Sequence, residues 1–313
     1  VGLAFYQKDF NIYALNRPIF FQANGKGQHN FEDLTRGSLL LSEGRAEGAD
    51  LPVQQRVMTC SDRRTQRYSF VTSLTNADYY PGVHALLKGL RAVGSEHDLL
   101  VLIPEAQQHE LVPRLKSWGC HIATAPPVAI KEDLNAEGHY WNETFFKIRA
   151  AGLTEYQKII MIDSDMLIRK NIDHLFARPS MTAVAAGKTL RPDWIQLNTG
   201  LVVLEPSNSL FQLLLNSVEP AVRRKREGGL TAGDQDVFHQ AFPDWPNRHD
   251  LHLPENYNIF SFDLDQLCGR QPQSFYEDIF VVHFAGPNKP WHRPPVIEVS
   301  DDRNLLPNLG FWM

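Results

Sequence analysis

Two carboxylates at i and i+2, Asp163 and Asp165, close the run Lys158-Ile-Ile-Met-Ile-Asp-Ser-Asp. Four apolar residues carry the chain through a core, and the carboxylates then emerge at the carboxyl end of the strand. A turn at that point can aim two oxygens at one hard cation. Oxygen donors suit Mg or Mn, ions that keep several waters and also grip substrate phosphates. The bland alternative is a polar turn that merely ends a strand. A second group is Val281-Val-His283-Phe-Ala-Gly286-Pro-Asn-Lys289-Pro-Trp291. A histidine leaving a buried strand can offer a neutral imidazole nitrogen to a metal. Gly286 permits close backbone approach to a ligand, and Lys289 is a point charge suited to phosphate. A lone histidine at a strand end is more often structural, but His, Gly, Lys and Trp in this order are harder to dismiss.

Three further places are ambiguous on their own. Asn198-Thr-Gly200 offers an amide and a glycine just before the apolar run Leu201–Leu204, or is a turn. Gly233-Asp234-Gln235-Asp236 opens a helix; Asp234 either caps it or lies with Gln235 beside a sugar. Thr75-Asn76 follows the first regular strand and serves either turn chemistry or contacts to a base and ribose.

The elements that must position these residues alternate. Tyr68 to Leu74 reads as a strand, rich in aromatic and β-branched residues. Pro81 can open a helix, Val83, Leu86, Leu87, Leu90 and Val93 recur at helical spacing, and Gly94 stops it. Leu99 to Ile103 is a wholly apolar strand; Leu111, Leu115 and Trp118 mark a second helix ended by Gly119; Ile122 begins another strand. Trp141, Phe145, Ile148 and Ala151 or Gly152 mark a third helix before the strand Lys158 to Ile162. Short apolar strands alternating with amphipathic helices predict an α/β, doubly wound, mostly parallel sheet. Ligands then sit past the carboxyl ends of the strands, where Asp163 lies. Further on, Thr182 to Ala186, Leu201 to Leu204 and Ile279 to Val282 read as strands, and Leu210 to Leu215 and Asp234 to Phe242 as helices. Residues 1–66 form an N-terminal extension of short elements, 67–292 the main domain, and 293–313 a proline-containing tail.

Composition narrows the partners. A net charge of −5 with no long basic stripe argues against nucleic acid. The short cluster Arg223-Arg-Lys-Arg226 reads as a solvated helix end before Gly228-Gly229. Cys60, Cys120 and Cys268 have neither CxxC nor zinc spacing, and Asn142-Glu-Thr144 is a sequon. No window reaches the roughly 18 apolar residues of a membrane span. Because the chain opens on Val1, a membrane link is expected only through a removed anchor. Cytoplasm and Golgi lumen both stay open, as does a homodimer.

Taken in order, these motifs resemble glycogenin and the wider family 8 of retaining glycosyltransferases, which includes galactinol synthases and plant glucuronyltransferases. The resemblance covers residues 67 to 292. It rests on Phe70-Val-Thr-Ser-Leu-Thr-Asn76, Lys147, Asp163-Ser-Asp165, Asn198-Thr-Gly200, Gly233-Asp-Gln235 and His283 through Trp291. Phosphatases of the haloacid dehalogenase type also begin with Asp-X-Asp after an apolar strand. They favour Thr or Val where this chain has Leu167, and they leave the other motifs unexplained.

The resemblance implies a GT-A fold, a UDP-sugar donor and Mn2+, with Mg2+ as an alternative. By position it makes Asp163, Asp165 and His283 the metal ligands, and Thr75, Asn76 and Tyr79 the uridine-binding turn. Asn198, Asp234 and Gln235 become sugar contacts, and Gly286 and Lys289 a diphosphate clamp. Lys147 becomes the donor-contacting lysine, and it joins Asp234 and Gln235 as the implied catalytic set. The reaction would be retaining transfer of a hexose-type sugar. A catalytically weak nucleotide-sugar-binding scaffold is the alternative. Glycogenin's acceptor tyrosine falls here on Gln266, so an external glycan, polyol, lipid or protein acceptor is expected in place of self-modification.

Overall fold

The computed structural model describes residues 68–128, 143–267, 272–287 and 289–292. The expected extension (1–66) and tail (293–313), together with Trp141, Asn142, Cys60 and Cys268, lie outside the described residues. Strand β1 (Tyr68–Ser73) is buried at its four central positions. Helix α1 (Tyr80–Ala92) takes Pro81 in its first turn and buries Val83, Leu86, Leu87 and Leu90. It stops at Gly94, whose φ of 69° favours glycine. Strand β2 (Leu99–Pro104) is buried at every position. Helix α2 (Gln108–Ser117) and strand β3 (His121–Ala125) follow, with Gly119 at φ 75° between them.

A 3₁₀ segment, Phe145–Gly152, then leads to β4 (Lys158–Ile162). The expected third helix is thus helical at Glu143 and Thr144 and a 3₁₀ turn series from Phe145 to Gly152. Two of its residues, Phe146 and Lys147, are drawn inward together with Phe145 and Ile148.

The remaining strands are β5 (Met166–Ile168), β6 (Ala183–Val184), β7 (Asn198–Leu204), β8 (His252–Leu253), β9 (Ile259–Phe260) and β10 (Val281–His283). Among them lie the helices α3 (Asn208–Glu227), α4 (Asp234–Ala241), α5 (Leu264–Leu267) and α6 (Gln273–Glu277). The main sheet has the order β3-β2-β1-β4-β7-β6-β8, and β5-β10-β9 makes a second sheet. Strands β3, β2, β1 and β4 are mutually parallel, with Val71 opposite both Leu100 and Met161. Alternate residues therefore face opposite cores: Val71, Leu100, Leu102 and Met161 on one side, Phe70, Leu99, Val101 and Ile160 on the other.

Several expected boundaries move. The strand foreseen at Thr182 to Ala186 shrinks to two residues, and the one at Ile279 to Val282 begins at Val281 and takes in His283. Strand β7 begins at Asn198, three residues before the apolar run, because β6 pairs with it there, Val184 opposite Asn198, while Leu201–Leu204 pair antiparallel with β4, Leu201 opposite Ile162. Its first residues thereby lie beside the carboxyl end of β4. The basic cluster closes α3 as expected; there Lys225 reaches Asp236 at 2.8 Å, and the cations complement the helix terminus. No helix among the described residues is long and apolar enough to cross a membrane.

Candidate active site

The turn after β4 is set by backbone contacts before any side chain acts. The Asp163 amide donates to Gly200 O of β7 at 2.8 Å, and the Phe284 amide donates to Asp165 O at 2.9 Å. Because β5 starts immediately after Asp165 and pairs antiparallel with β10, Met166 lies opposite His283. That register carries His283 onto the carboxylates from 118 residues away in sequence. Gly82 of α1 packs on the same turn, where an added Cβ would stand 2.4 Å from Ser164 O. Gly200 is equally constrained: a Cβ there would meet His283 Cε1 at 2.7 Å and Asn198 Oδ1 at 2.8 Å.

Asp163, Asp165 and His283 place one donor atom each within 4.8 Å of one another. His283 Nε2 lies 3.8 Å from Asp163 Oδ2 and 3.4 Å from Asp165 Oδ1. The outer oxygens belong to lysines: Lys147 Nζ reaches Asp163 Oδ1 at 2.6 Å, and Lys289 Nζ donates to Asp165 Oδ2 and to Phe284 O. Lys147 also pairs with Asp234 Oδ2 at 2.9 Å and donates to Thr199 O. Asp234 accepts in addition from Thr199 Oγ1 at 2.7 Å, and its amide donates to Thr144 Oγ1.

The cluster's charges interact strongly. Burial pushes the Asp165 carboxyl up, but His283 and Lys289 outweigh it and hold the group well below the usual carboxylate range. Burial raises Asp163; Lys147 opposes this without cancelling it. Burial pulls the Lys147 ammonium down, yet Asp163 and Asp234 outweigh that and leave it above the ordinary lysine value.

The imidazole is oriented by a chain of amides. The Gly200 amide donates to Asn198 Oδ1 at 2.9 Å, which fixes that atom as an acceptor. Asn258 Nδ2 donates to the same oxygen at 2.8 Å, so Asn258 Oδ1 faces His283 Nδ1 at 3.1 Å. With Nδ1 held by Asn258 Oδ1, Nε2 faces the two carboxylates and is placed to offer a lone pair to a cation bound between them. Asn198 Nδ2 in turn donates to Gln235 Oε1 at 2.9 Å.

Two carboxylate oxygens and an imidazole nitrogen form a donor set that fits a divalent cation. The charges agree: among the described residues the three carboxylates of Asp163, Asp165 and Asp234 pair with two ammonium groups, Lys147 and Lys289.

Thr75, Asn76, Tyr79, Lys147, Asp163, Asp165 and Asp234 line one cleft, joined by Ser73, Glu143, Thr144 and Ser164. Thr75 Oγ1 and Asn76 Nδ2 both donate to Glu143 Oε2, at 3.0 and 3.2 Å. Asn76 Oδ1 meanwhile caps the turn Ala77–Tyr79 by accepting from the Asp78 amide. Tyr79 meets Trp291 edge-on and has the Lys289 ammonium 5.6 Å from its ring centre. Lys289 and His283 stand behind the carboxylates, and Asn198 and Gln235 join through Asn258. Gly286 has φ 91°, a conformation that favours glycine.

Asn258, Glu143 and Thr144 were not legible as site residues. Asn258 carries no local motif, while Thr144 could have been suspected one helical turn before Lys147.

An α/β protein with a mostly parallel sheet, and with this acidic and imidazole cluster at the strand ends, has the GT-A fold. The solved galactosyltransferase LgtC, crystallised with donor and acceptor sugar analogues, shares it with TM-score 0.50 and 17% identity over 72% of this chain and 90% of that one. The model of glycosyl transferase family 8 matches residues 70–294, and the chain belongs to that family. UDP-glucuronate:xylan alpha-glucuronosyltransferase 1 of Arabidopsis thaliana is 29% identical over 83% of this chain and 37% of its own length. Glycogenin-1 of Caenorhabditis elegans is 26% identical over 74% of this chain and 53% of its own. The chain thus spans little more than a third of the plant relatives it matches.

Proposed function

We propose that this chain is a Mn2+-dependent retaining glycosyltransferase that moves a hexose-type sugar from a UDP-sugar to an external glycan, polyol, lipid or protein acceptor. The observation that carries the reading is the converging trio Asp163, Asp165 and His283, opening beside a cleft rimmed by Thr75, Asn76 and Tyr79. The imidazole in the donor set favours Mn2+ over Mg2+. When bound there, the cation would stabilise charge on the departing diphosphate.

The chain's own residues do the rest. Thr75, Asn76 and Tyr79 hold the uridine, Thr75 and Asn76 exchanging their bonds to Glu143 for bonds to the nucleoside. Gly286 lets the backbone approach the diphosphate, and Lys289 supplies a fixed positive charge beside it. Lys147, held protonated by Asp163 and Asp234, keeps the carboxylates apart at fixed geometry. Asn198, Asp234 and Gln235 then contact the sugar and steady positive charge at its reacting carbon. The acceptor hydroxyl enters on the face the diphosphate leaves, which retains configuration. A haloacid dehalogenase reading leaves His283, Asn258 and Lys289 without a task.

A thermal-shift titration tests the assignment. Mn2+ and UDP together raise Tm by mass action, about 2.7 kcal/mol of stabilisation at a hundredfold excess over Kd. Asp165→Ala abolishes both the Mn2+-dependent shift and sugar transfer. Full transfer by that variant would remove Asp165 from the metal site. A UDP shift with no turnover of any UDP-sugar would favour the binding scaffold.

A further inference from the structure

A transferase needs a second substrate, and the cleft bounded by Thr75 and Asn76 accounts for the donor alone. On the β9 side of His283 lies a set of aromatic side chains that the donor chemistry does not use. Phe260 is the register partner of His283, with ring centres 5.5 Å apart. Trp194 meets Phe260 edge-on at 6.4 Å, and Phe262 stacks on Phe260 at 5.0 Å. Yet Trp194 is 48% exposed and Phe262 42%. Exposed aromatics scattered singly are ordinary, but two joined to a catalytic centre through one buried ring are not.

The platform is also built. Gly187 has φ 84°, and a Cβ there would strike Arg191 Nη2 at 2.5 Å and approach Trp194 Cε3 to 3.1 Å. Successive turns follow, the Arg191 amide donating to Gly187 O and the Trp194 amide to Arg191 O, each at 2.9 Å. The Arg191 guanidinium lies 4.2 Å from the Trp194 ring centre and 5.7 Å from that of Phe262. Arg191 is anchored in turn by an ion pair with Asp263, a residue only 1% exposed. A rigid, half-exposed indole backed by a guanidinium suits one ligand chemistry well. The C–H face of a pyranose ring stacks on the indole, and its hydroxyls reach the polar rim. The same loop contributes Lys188 and Thr189 to a hollow shared with His252 and Glu255, groups suited to the hydroxyls of a neighbouring sugar unit.

We propose that Trp194 and Phe262, held by Arg191 and Asp263, form the acceptor subsite, and that the acceptor is a glycan whose pyranose ring stacks on them. This inference rests on the transferase reading above. It selects glycan among the acceptor classes that reading allows.

The test is isothermal titration calorimetry of the chain with xylohexaose, cellohexaose and maltohexaose in the absence of donor. At least one oligosaccharide produces a saturable heat change. Trp194→Ala weakens that binding by about tenfold, and Trp194→Phe recovers part of it. Phe262→Ala weakens it by a smaller factor. In transfer assays the same variants raise the acceptor KM. Equal affinity in wild type, Trp194→Ala and Phe262→Ala overturns the proposal, as does failure of all three oligosaccharides to bind a wild-type chain that binds Mn2+ and UDP. Direct binding of phosphatidylcholine vesicles, lost in Trp194→Ala, with no glycan binding overturns it in favour of a lipid acceptor. If the glycan binds through Trp194 but Mn2+ and UDP give no thermal shift, the subsite stands and the transferase reading falls.

Discussion

The two halves of the molecule hold the site by different means. From β1 to β4 the strands are five or six residues long and parallel, and the ligand-facing residues are whatever follows them in the turns. From β5 onward, apart from the seven residues of β7, the strands have two or three residues and mixed directions. There the site-facing residues come from strand ends (Asn198, His283), from the start of α4 (Asp234, Gln235) and from loops (Asn258, Lys289), and side-chain bonds between distant segments do the positioning. Asn198, Asn258 and His283 form one such connection across 85 residues of sequence. Burial of continuous apolar strands stabilises the first half, at roughly 1.5–3 kcal/mol for each large side chain removed from water. The second half adds polar bonds that fix the place of its short strands and loops. Damage to the first should read out as lost stability, and damage to the second as lost geometry.

Lys147 joins the halves, so its loss should break the comparison most severely. It belongs to the segment between β3 and β4, yet it bonds Asp163 of the first half and Asp234 and Thr199 of the second. Lys147→Met leaves two carboxylates in a buried site without their shared cation. Removing one partner of a buried pair costs about 3–5 kcal/mol. Urea unfolding should show a loss of that size together with loss of sugar transfer. A Lys147→Met chain of wild-type stability would mean that Asp163 and Asp234 find water or another cation, and that the halves are less coupled than the geometry indicates.

That dependence explains what the sequence could and could not show. Strand β2 is legible because all six of its residues are apolar or proline and all are buried, so hydrophobic pattern and structure carry the same information. Asp163 and Asp165 are legible because the turn follows a strand of that kind. Strands β8 and β9 are two residues each, too short for any period to appear, and exist because β6 and β10 supply partners. Asn258 is polar and wholly buried, and only its place between Asn198 and His283 gives it a purpose. His283 could be suspected from its company in Val281–Trp291, but its approach to Asp165 required the β5–β10 register, which no local pattern encodes.

Asn258 offers the next largest effect, confined to the second half. Asn258→Leu, close in volume, removes the acceptor that holds the His283 Nδ1 proton and leaves Nε2 free to turn from the carboxylates. Loss of an outer partner of this kind typically weakens metal affinity about 10–100-fold. Mn2+ titration followed by thermal shift should show that loss, while far-UV circular dichroism stays that of the wild type. An unchanged Mn2+ affinity would show that β10 alone orients the ring.

The smallest effect belongs to the first half and concerns pH. His84 of α1 stacks on Trp118, ring centres 4.4 Å apart. Its pKa is lowered to about 4, by burial first and then by Lys88, Arg114 and Arg91. An unfolded histidine takes up its proton near pH 6.5. Between those values the unfolded chain binds the proton and the folded chain does not, so stability falls as pH drops from about 6.5 toward 4. The slope from one group cannot exceed about 1.4 kcal/mol per pH unit, and partial exposure of the ring reduces it. His84→Phe keeps an aromatic partner for Trp118 and removes the titration. Urea midpoints at pH 7 and pH 5 should therefore differ less for His84→Phe than for the wild type, with Mn2+ affinity at pH 7 the same in both. If Mn2+ affinity falls with the substitution, packing against α1 reaches the Ser164 turn through Gly82, and the first half positions the site through its helix as well as its strands.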